Sequence, residues 1–582
     1  PLVFIWCLTD ERNTLVASST NCRYLNPLET VYIMDPMAAD IATFPAVFTI
    51  IVFLFSTVLV IRPIAIPLPL CKRAKIHLNT ATAPLFAVLV LLCSRCISPA
   101  LVGAALTNID SIKPYNVLLL FFSLAYLAIT LDMTGVLQAA AFYVSNKGGR
   151  SGRRLFLYFY LLETALSSLL GNDAVVLSAI PFLVYYTRAT ELSSIPWLCS
   201  GFTVANTASM VLFVGNITNV VLCEGLNIGF VVYTAYIIFP FLACSVFGYV
   251  ALYTQFRKVK QIPQRILAPN LDPGSVLLDP FGAWVGSITM ALCLATILGT
   301  SFAAVDVWEI ALPFALAKLV FDLIRDLQHT SAGTIQESHQ TTNEKEMKKA
   351  LEEGSIMLPC EGRTGTCVFK VGQFSCVSSS TRDPTPANQE QIIGHRYLRI
   401  LFRLHEILRH RLPTVMTALP RLPLALLPFT LSQFVLVQAL SHTGWISIFA
   451  LWLSHLVGQS PMASIWVIGI FTNILCNFCG TNIGTTVLMI QVIKHPIFIS
   501  KSGGSDAVVK GAGLAIAVAS NIGAVSVTWS ASLAGLLYRS LLRMKNVQVT
   551  NFEFAKWNIF PLFAMSVAGF GVICAEVKIL YS

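Results

Sequence analysis

The sequence predicts an all-α polytopic membrane protein: two inverted repeats of about five transmembrane helices, each with a re-entrant helical hairpin and a broken helix. Three observations carry this. Of 582 residues, 55% are hydrophobic and only 12% charged, with mean hydropathy +0.71, whereas soluble domains carry roughly 25% charged residues. Residues 155–222 hold two apolar segments too short to cross a bilayer, followed by a longer one with polar residues inside it. Landmarks of that stretch then recur, in order, in the second half.

In chain order, residues 1–40 are an N-terminal extracytoplasmic segment of weak pattern, and the start at Pro1 suggests that it is incomplete or processed. The first repeat, 41–254, has spans at 41–61, 81–101 and 116–132, from apolar length. An interfacial stretch at 131–145 leads to the basic run Lys147, Arg150, Arg153 and Arg154. Arms at 155–170 and 174–186 flank Gly171-Asn172-Asp173, which predicts a hairpin with its tip at membrane depth. The segment at 197–222 contains Asn206-Thr207-Ala208-Ser209 and Gly215-Asn216-Ile217-Thr218-Asn219, the pattern of a broken helix whose free amides and carbonyls face a solute. A span at 231–254 ends the repeat.

A basic, Pro-containing linker (255–280) precedes the start of the second repeat at 281–324, with spans at 281–299 and 306–324. Residues 325–412 read as a polar, partly disordered cytoplasmic loop. The remainder, 413–582, holds a span at 422–440 and an apolar stretch at 441–458. A second hairpin follows, with arms at 462–477 and 487–493, and then spans at 511–537 and 557–579.

The repeat rests on three landmarks. Ile238-Phe239-Pro240 matches Ile559-Phe560-Pro561, an offset of 321 (561 − 240), Asn206 matches Asn521, and Gly171 matches Gly480. Charge gives the inversion. With the basic loops 62–77, 147–154 and 257–265 in the cytoplasm, the first hairpin opens inward and the second outward. Lys494, Lys501 and Lys510 then fall outside, against the tendency. The net charge of +10 is interleaved with apolar runs, as cytoplasmic loops require, and does not indicate nucleic acid. Fifteen scattered cysteines, mostly in apolar segments, read as packing residues rather than a disulfide framework.

Ile129–Gly135 (ITLDMTG), 145–156 (SNKGGRSGRRLF), 171–177 (GNDAVVL) and 206–221 (NTASMVLFVGNITNVV) resemble the arsenite/antimonite permease family. This is the membrane component of arsenical pumps, with a citrate-transporter-like domain, in the ion-transporter superfamily. Thr481-Asn482, Thr485, Asn521-Ile522-Gly523 and Ser532-Leu533-Ala534 extend the resemblance to the second half. Thr481 and Gly484 stand where the family has Asn and Pro, and Trp529-Ser530-Ala531 where it has Pro-x-Gly. The resemblance implies export of a small inorganic metalloid oxyacid or anion coupled to proton entry, by alternating access. Relatives of the same architecture include Na⁺/H⁺ antiporters and di- or tricarboxylate carriers. Dimers within the superfamily, and bacterial relatives working with a soluble ATPase subunit, make a homodimer and such a subunit partner expectations.

The residues supply their own chemistry. Asp173 at a hairpin tip is the leading coupling group, because a buried carboxylate avoids its charge penalty by taking a proton or a cation. An Asx-type cap of the hairpin is the competing role. Glu163, about two helical turns earlier, is the next acid, with an ion pair as its alternative. Asn172, Asn206, Thr207, Ser209, Asn216, Asn219, Thr481, Asn482, Thr485 and Asn521 offer neutral donors and acceptors suited to an oxyacid, a carboxylate or a partly dehydrated Na⁺. Their bland role is interhelical hydrogen bonding. Cys476 and Cys479 form a lone CxxC, repeated at Cys93 and Cys96 in another span, and so a weak thiol signal. His405 and His410 lie one residue too far apart for a zincin. No catalytic pair, metal-ligand set or cofactor motif stands out, which excludes a legible enzyme; an ion channel remains as the other class. The bilayer is that of the plasma membrane or an endomembrane organelle.

Deletion of residues 335–390 is predicted to leave folding and transport intact, because their composition cannot build a core and polar loops tolerate length change. Size-exclusion profile and vesicle flux of the deletion variant check this; a collapsed profile would make the insert a structural domain.

Overall fold

A computed structural model describes residues 43–67, 75–108, 112–258, 261–266, 271–301, 305–331, 405–424 and 426–581. The expectations for 1–40 and for most of the polar loop, 332–404, lie outside these residues. The first half runs α1 (Phe44–Ile61), a two-stranded antiparallel ribbon of β1 (Ile64–Pro67) and β2 (Lys75–Leu78), α2 (Thr82–Cys93), α3 (Pro99–Thr107), α4 (Pro114–Met133) and α5 (Val136–Gly148). It continues with α6 (Gly152–Leu170), α7 (Asn172–Ala189), α8 (Ser194–Ala208), α9 (Ile217–Leu226) and α10 (Phe230–Phe256). After α11 (Pro280–Gly299) and α12 (Val307–Ser331), the chain resumes with α13 (Pro413–Ala418), α14 (Leu426–His442), α15 (Trp445–Val457) and α16 (Pro461–Leu475). α17 (Asn482–Lys494), α18 (Pro496–Lys501), α19 (Asp506–Ile522), α20 (Leu533–Met544) and α21 (Asn551–Tyr581) complete it.

Local sequence explains many of the starts. Pro99, Pro114, Pro280, Pro413, Pro461 and Pro496 open their helices, where the missing N–H removes no intrahelical bond. Ser151 and Ser460 cap α6 and α16, each accepting from the N–H three residues on.

Among the described residues, α1, α4, α10, α11 and α21 are long and apolar enough to cross a bilayer, and residues 427–442 with α15 form a pair bent by 76°. Trp284, Phe552, Phe563 and Val246 are exposed on such helices, large apolar side chains that suit lipid and not water. The spans expected from apolar length are therefore not all present as single long helices. The stretch 81–101 is two helices parted at 94–98, because Ser94-Arg95-Cys96 turns the chain with Arg95 at φ 57°. The stretch 511–537 is α19 and α20 with a break between them, as a broken helix in the second repeat requires. The span expected at 306–324 continues to Ser331 and buries Lys318, Asp322 and Asp326. Lys318 pairs with Asp322, which also accepts from Tyr126 Oη at 3.0 Å, so this charge is satisfied against α4.

The halves share unusual backbone positions. Gly135 and Gly444, Gly149 and Gly458, and Gly171 and Gly480 are each 309 residues apart (444 − 135), with φ of 86° and 84°, 58° and 58°, 85° and 81°. Asn227 and Asn546, after α9 and α20, both adopt left-handed conformations, at 56° and 55°. Packing follows the same pairing. α6 lies on α8 as α16 lies on α19; α9 of the first half packs on α17 of the second, and α20 of the second on α7 of the first. α10 and α21 pack on each other, with Cys244 Sγ donating to Met565 O at 3.3 Å. The core therefore sits between the halves, where side chains of both close one apolar cluster.

At Gly171 a methyl group would lie 2.9 Å from Gly215 O, whereas at Gly149 it would meet nothing within 4 Å. Gly171→Ala should lower stability by about 1–3 kcal/mol through strain and the clash, and Gly149→Ala by less. Thermal unfolding in detergent measures both; equal losses would show that the contact with Gly215 is unimportant.

Candidate functional site

The site grows from two interruptions of the backbone. Groups freed from a helix at membrane depth have no water to bond, so protein must supply partners. After α8 the chain passes a short 3₁₀ turn (Phe213–Gly215) before α9. Asn219 Nδ2 donates to Ser209 O at 2.8 Å and Leu212 O at 2.9 Å, satisfying carbonyls of the break. Asn216 caps α9, accepting from Thr218 N–H at 3.3 Å. After α19 a matching 3₁₀ turn (Trp529–Ala531) precedes α20, whose cap Ser532 accepts from Gly535 N–H at 3.0 Å. Here the bracing side chain is Asn477, whose Oδ1 accepts from Thr528 N–H at 3.0 Å and from the hydroxyls of Ser526 and Thr528, both at 2.9 Å.

Asn521 joins the two interruptions. Its Nδ2 donates to Asn219 Oδ1 at 2.7 Å and Ala517 O at 2.9 Å, and its Oδ1 accepts from Asn216 Nδ2 at 3.0 Å and Ser209 Oγ at 3.3 Å. Asn206, its counterpart, also donates to the carbonyl four residues back, Phe202 O, at 2.9 Å. It stays within its own half, accepting from Asn172 Nδ2 at 3.4 Å. Asn482 Nδ2 reaches Ser520 O at 3.1 Å, tying the second tip to α19 as Asn172 ties the first to α8.

Asn172, Asp173, Asn216 and Asn482 line one cleft with Phe121, Ile217, Ile483, Ser532, Leu533 and Ala534, around about 250 Å³ of empty space. α7, α9, α17 and α20 all begin there. Each helix N-terminus carries the equivalent of roughly half a positive charge and unsatisfied N–H groups, so the cleft favours negative charge or electron-rich oxygen. Asp173 is half-buried in the cleft and makes no hydrogen bond or ion pair among the described residues. The capping role considered for it is therefore not realised: Gly171 holds the cap position by its left-handed backbone.

Other expected residues lie elsewhere. Ser209, Asn206, Asn219 and Asn521 form the buried layer behind the cleft. Thr207 Oγ1 points at Met565 Sδ, 3.2 Å away on α21. Thr485 bonds back to Thr481 O at 3.1 Å, and Thr481 Oγ1 is buried with no partner among the described residues. Glu163 lies on α6, outside the cleft and facing a different cavity. Cys476 and Cys479 are buried free thiols, and among the described residues no three His, Cys, Asp or Glu side chains gather as a metal site.

Three cleft-side residues were not anticipated. Ser532 is the counterpart of Asn216, and its position before an apolar helical run was the available signal. Gln433 presses its amide against the second tip: a methyl at Gly480 would lie 3.3 Å from Nε2 and one at Gly484 3.1 Å from Oε1. Phe121 closes one wall, and a Phe inside an apolar span carries no sequence signal for that.

With this geometry in place, comparison with known proteins gives a consistent answer. Residues 74–332 match the citrate transporter family. The chain is 28% identical over 216 residues to an arsenical pump membrane protein of Escherichia coli, covering 35% of this chain and 49% of that protein. It is 29% identical over 187 residues to the one of strain K12, covering 31% and 42%, and 28% identical over 216 residues to that of Yersinia enterocolitica, covering 35% and 49%. The aligned stretch thus spans about half the length of these relatives or less. Among solved structures, the Alcanivorax borkumensis YdaH transporter aligns with a TM-score of 0.44 at 11% identity, over 92% of this chain and 97% of that one. The family match and the apolar helices make this chain an integral multi-pass membrane protein.

Asn521→Ala would strand Asn219 Oδ1 and Asn216 Nδ2 in a buried layer, at a cost of about 1–3 kcal/mol for each group left unpaired. Asn206→Ala should cost less, since it loses the longer contact with Asn172 and a bond to the helical carbonyl of Phe202 but no partner in the other half. Unfolding midpoints of the two variants test the order.

Proposed function

We propose that this protein is a secondary active transporter that exports a small inorganic oxyacid or anion, of the arsenite/antimonite kind, coupled to proton entry. The observation that carries the reading is the convergence of four helix N-termini on one cleft that also holds an unpartnered carboxylate, Asp173. The N-termini suit an electron-rich solute, and Asp173 suits a counter-transported proton that discharges the carboxylate while solute is absent. What the arsenical pump relatives are named for supports an inorganic solute.

We read α6–α7 and α16–α17 as re-entrant hairpins entering from opposite faces, and the halves as inverted repeats. The matched glycines and the reciprocal packing of α9 on α17 and α20 on α7 support this. Alternating access then moves the hairpins and broken helices as a unit against the remaining helices. A carboxylate carrier is the second reading, favoured by the family that residues 74–332 match.

Proteoliposomes screened with arsenite, antimonite, silicic acid, citrate and Na⁺, with and without a pH gradient, test the proposal. Gradient-driven arsenite or antimonite flux is expected; flux of citrate alone would establish the second reading. Asp173→Asn keeps size and acceptor capacity but cannot cycle a proton. It should fold and bind solute yet lose gradient-driven accumulation and the pH dependence of flux. Wild-type accumulation by this variant would remove Asp173 from coupling.

A further inference from the structure

We propose that Glu163 is a second proton-binding site, separate from the tip cleft and fed from the Asp132 side through Ser178 and Gln138. It rests on the proton-coupled reading above and adds a place where the proton resides.

Glu163 projects from α6 into a cavity between α5, α6 and α7, lined otherwise almost wholly by apolar groups such as Phe159, Leu166 and Phe182. It is only 4% exposed and makes no hydrogen bond or ion pair among the described residues. Its carboxylate rests against Gly201 of α8, where a methyl would come within 3.1 Å of Oε1. A second orphan faces the same cavity: Gln138 Oε1, buried without a donor. Two acceptors and no donor are what a proton resolves, since a carboxylic acid can donate where a carboxylate cannot. A metal cation would need more oxygens than Glu163, Gln138 and Ser178 provide.

The groups facing Glu163 supply no counter-charge. Tyr160 on its own helix and Tyr538 on α20 are close enough to interact with it, and Cys199 of α8 lies by Tyr538. α5 and α7 contribute the neutral Gln138 and Ser178, α10 packs Cys244 and Tyr249 on Tyr160, and no Lys, Arg or His lines the cavity.

Access is built in. Asp132 at the end of α4 accepts from Ser178 Oγ at 2.6 Å and from Gln138 Nε2 at 3.3 Å, so both cavity-lining side chains also touch this acid. Asp132 is 14% exposed and lies 3.8 Å from Arg421, which is 41% exposed. A proton on Asp132 reaches Glu163 by crossing the cavity that Ser178 and Gln138 line between them; the net change is one proton from Asp132 to Glu163. The second half lacks this chemistry, because Thr472 stands 309 residues after Glu163 (472 − 163) and bonds back to its own helix.

Infrared difference spectroscopy of the full chain in lipid vesicles, stepped in pH without any solute, reads the carboxylic C=O band directly. Glu163→Gln should remove one band that Asp173→Asn leaves in place, and Ser178→Ala should retain the band but delay its appearance after a pH jump. Should Glu163→Gln fail to fold, Gln138→Leu removes the acceptor and should shift the same band. A full band in Glu163→Gln, or an unshifted one in Gln138→Leu, overturns the proposal. Absence of solute flux in wild type would instead overturn the transport reading, since the spectra require none.

Discussion

A polypeptide broken at membrane depth must find partners for its own amides and carbonyls, and the rest of this molecule is arranged around that requirement. Two asparagines do most of it. Asn219 folds back on the carbonyls of the first break, and Asn477 reaches across to the second. Asn521 then makes the two breaks one structure, because its amide is shared by residues of both. The four helix starts exposed to the cleft are what remains after this accounting, and their unsatisfied donors give the cleft its polarity.

The scaffold is close to symmetric and the chemistry is not. Glycines of matched φ, matched caps and reciprocal packing give each half the same hairpin and the same interrupted helix. Yet the position of Asp173 is Asn482 in the second half, and that of Glu163 is Thr472. Duplicated geometry makes a cleft with equivalent walls. Both of these acids therefore lie in the first half.

Much of this was legible in the sequence. Gly171, Gly480 and the Asn-rich runs mark the interruptions because apolar helices have no other use for them. Helix phase was less legible. Apolar length alone cannot distinguish a single span from α2 and α3 meeting at Arg95, or from α19 and α20 meeting at a loop. Asp173 and Glu163 both stood out as acids within one apolar stretch. Glu163 is eight residues below the turn at Gly171, about 12 Å down a helix, and it faces another cavity. Gln433 and Phe121 reach the site by tertiary packing, which no local pattern encodes.

The approach of Gly171 to Gly215 has a mechanical consequence. The first tip and the first break meet backbone to backbone, with no side chain between them to flex, and Gly215 in turn has no room for a methyl beside Ser209 O. Such a seam has no compliance: it either holds or parts, and parting would strip buried backbone of its contacts. The tip cannot act as a hinged flap over a fixed floor. Floor and flap are one piece, and any motion of the tip carries the first break with it.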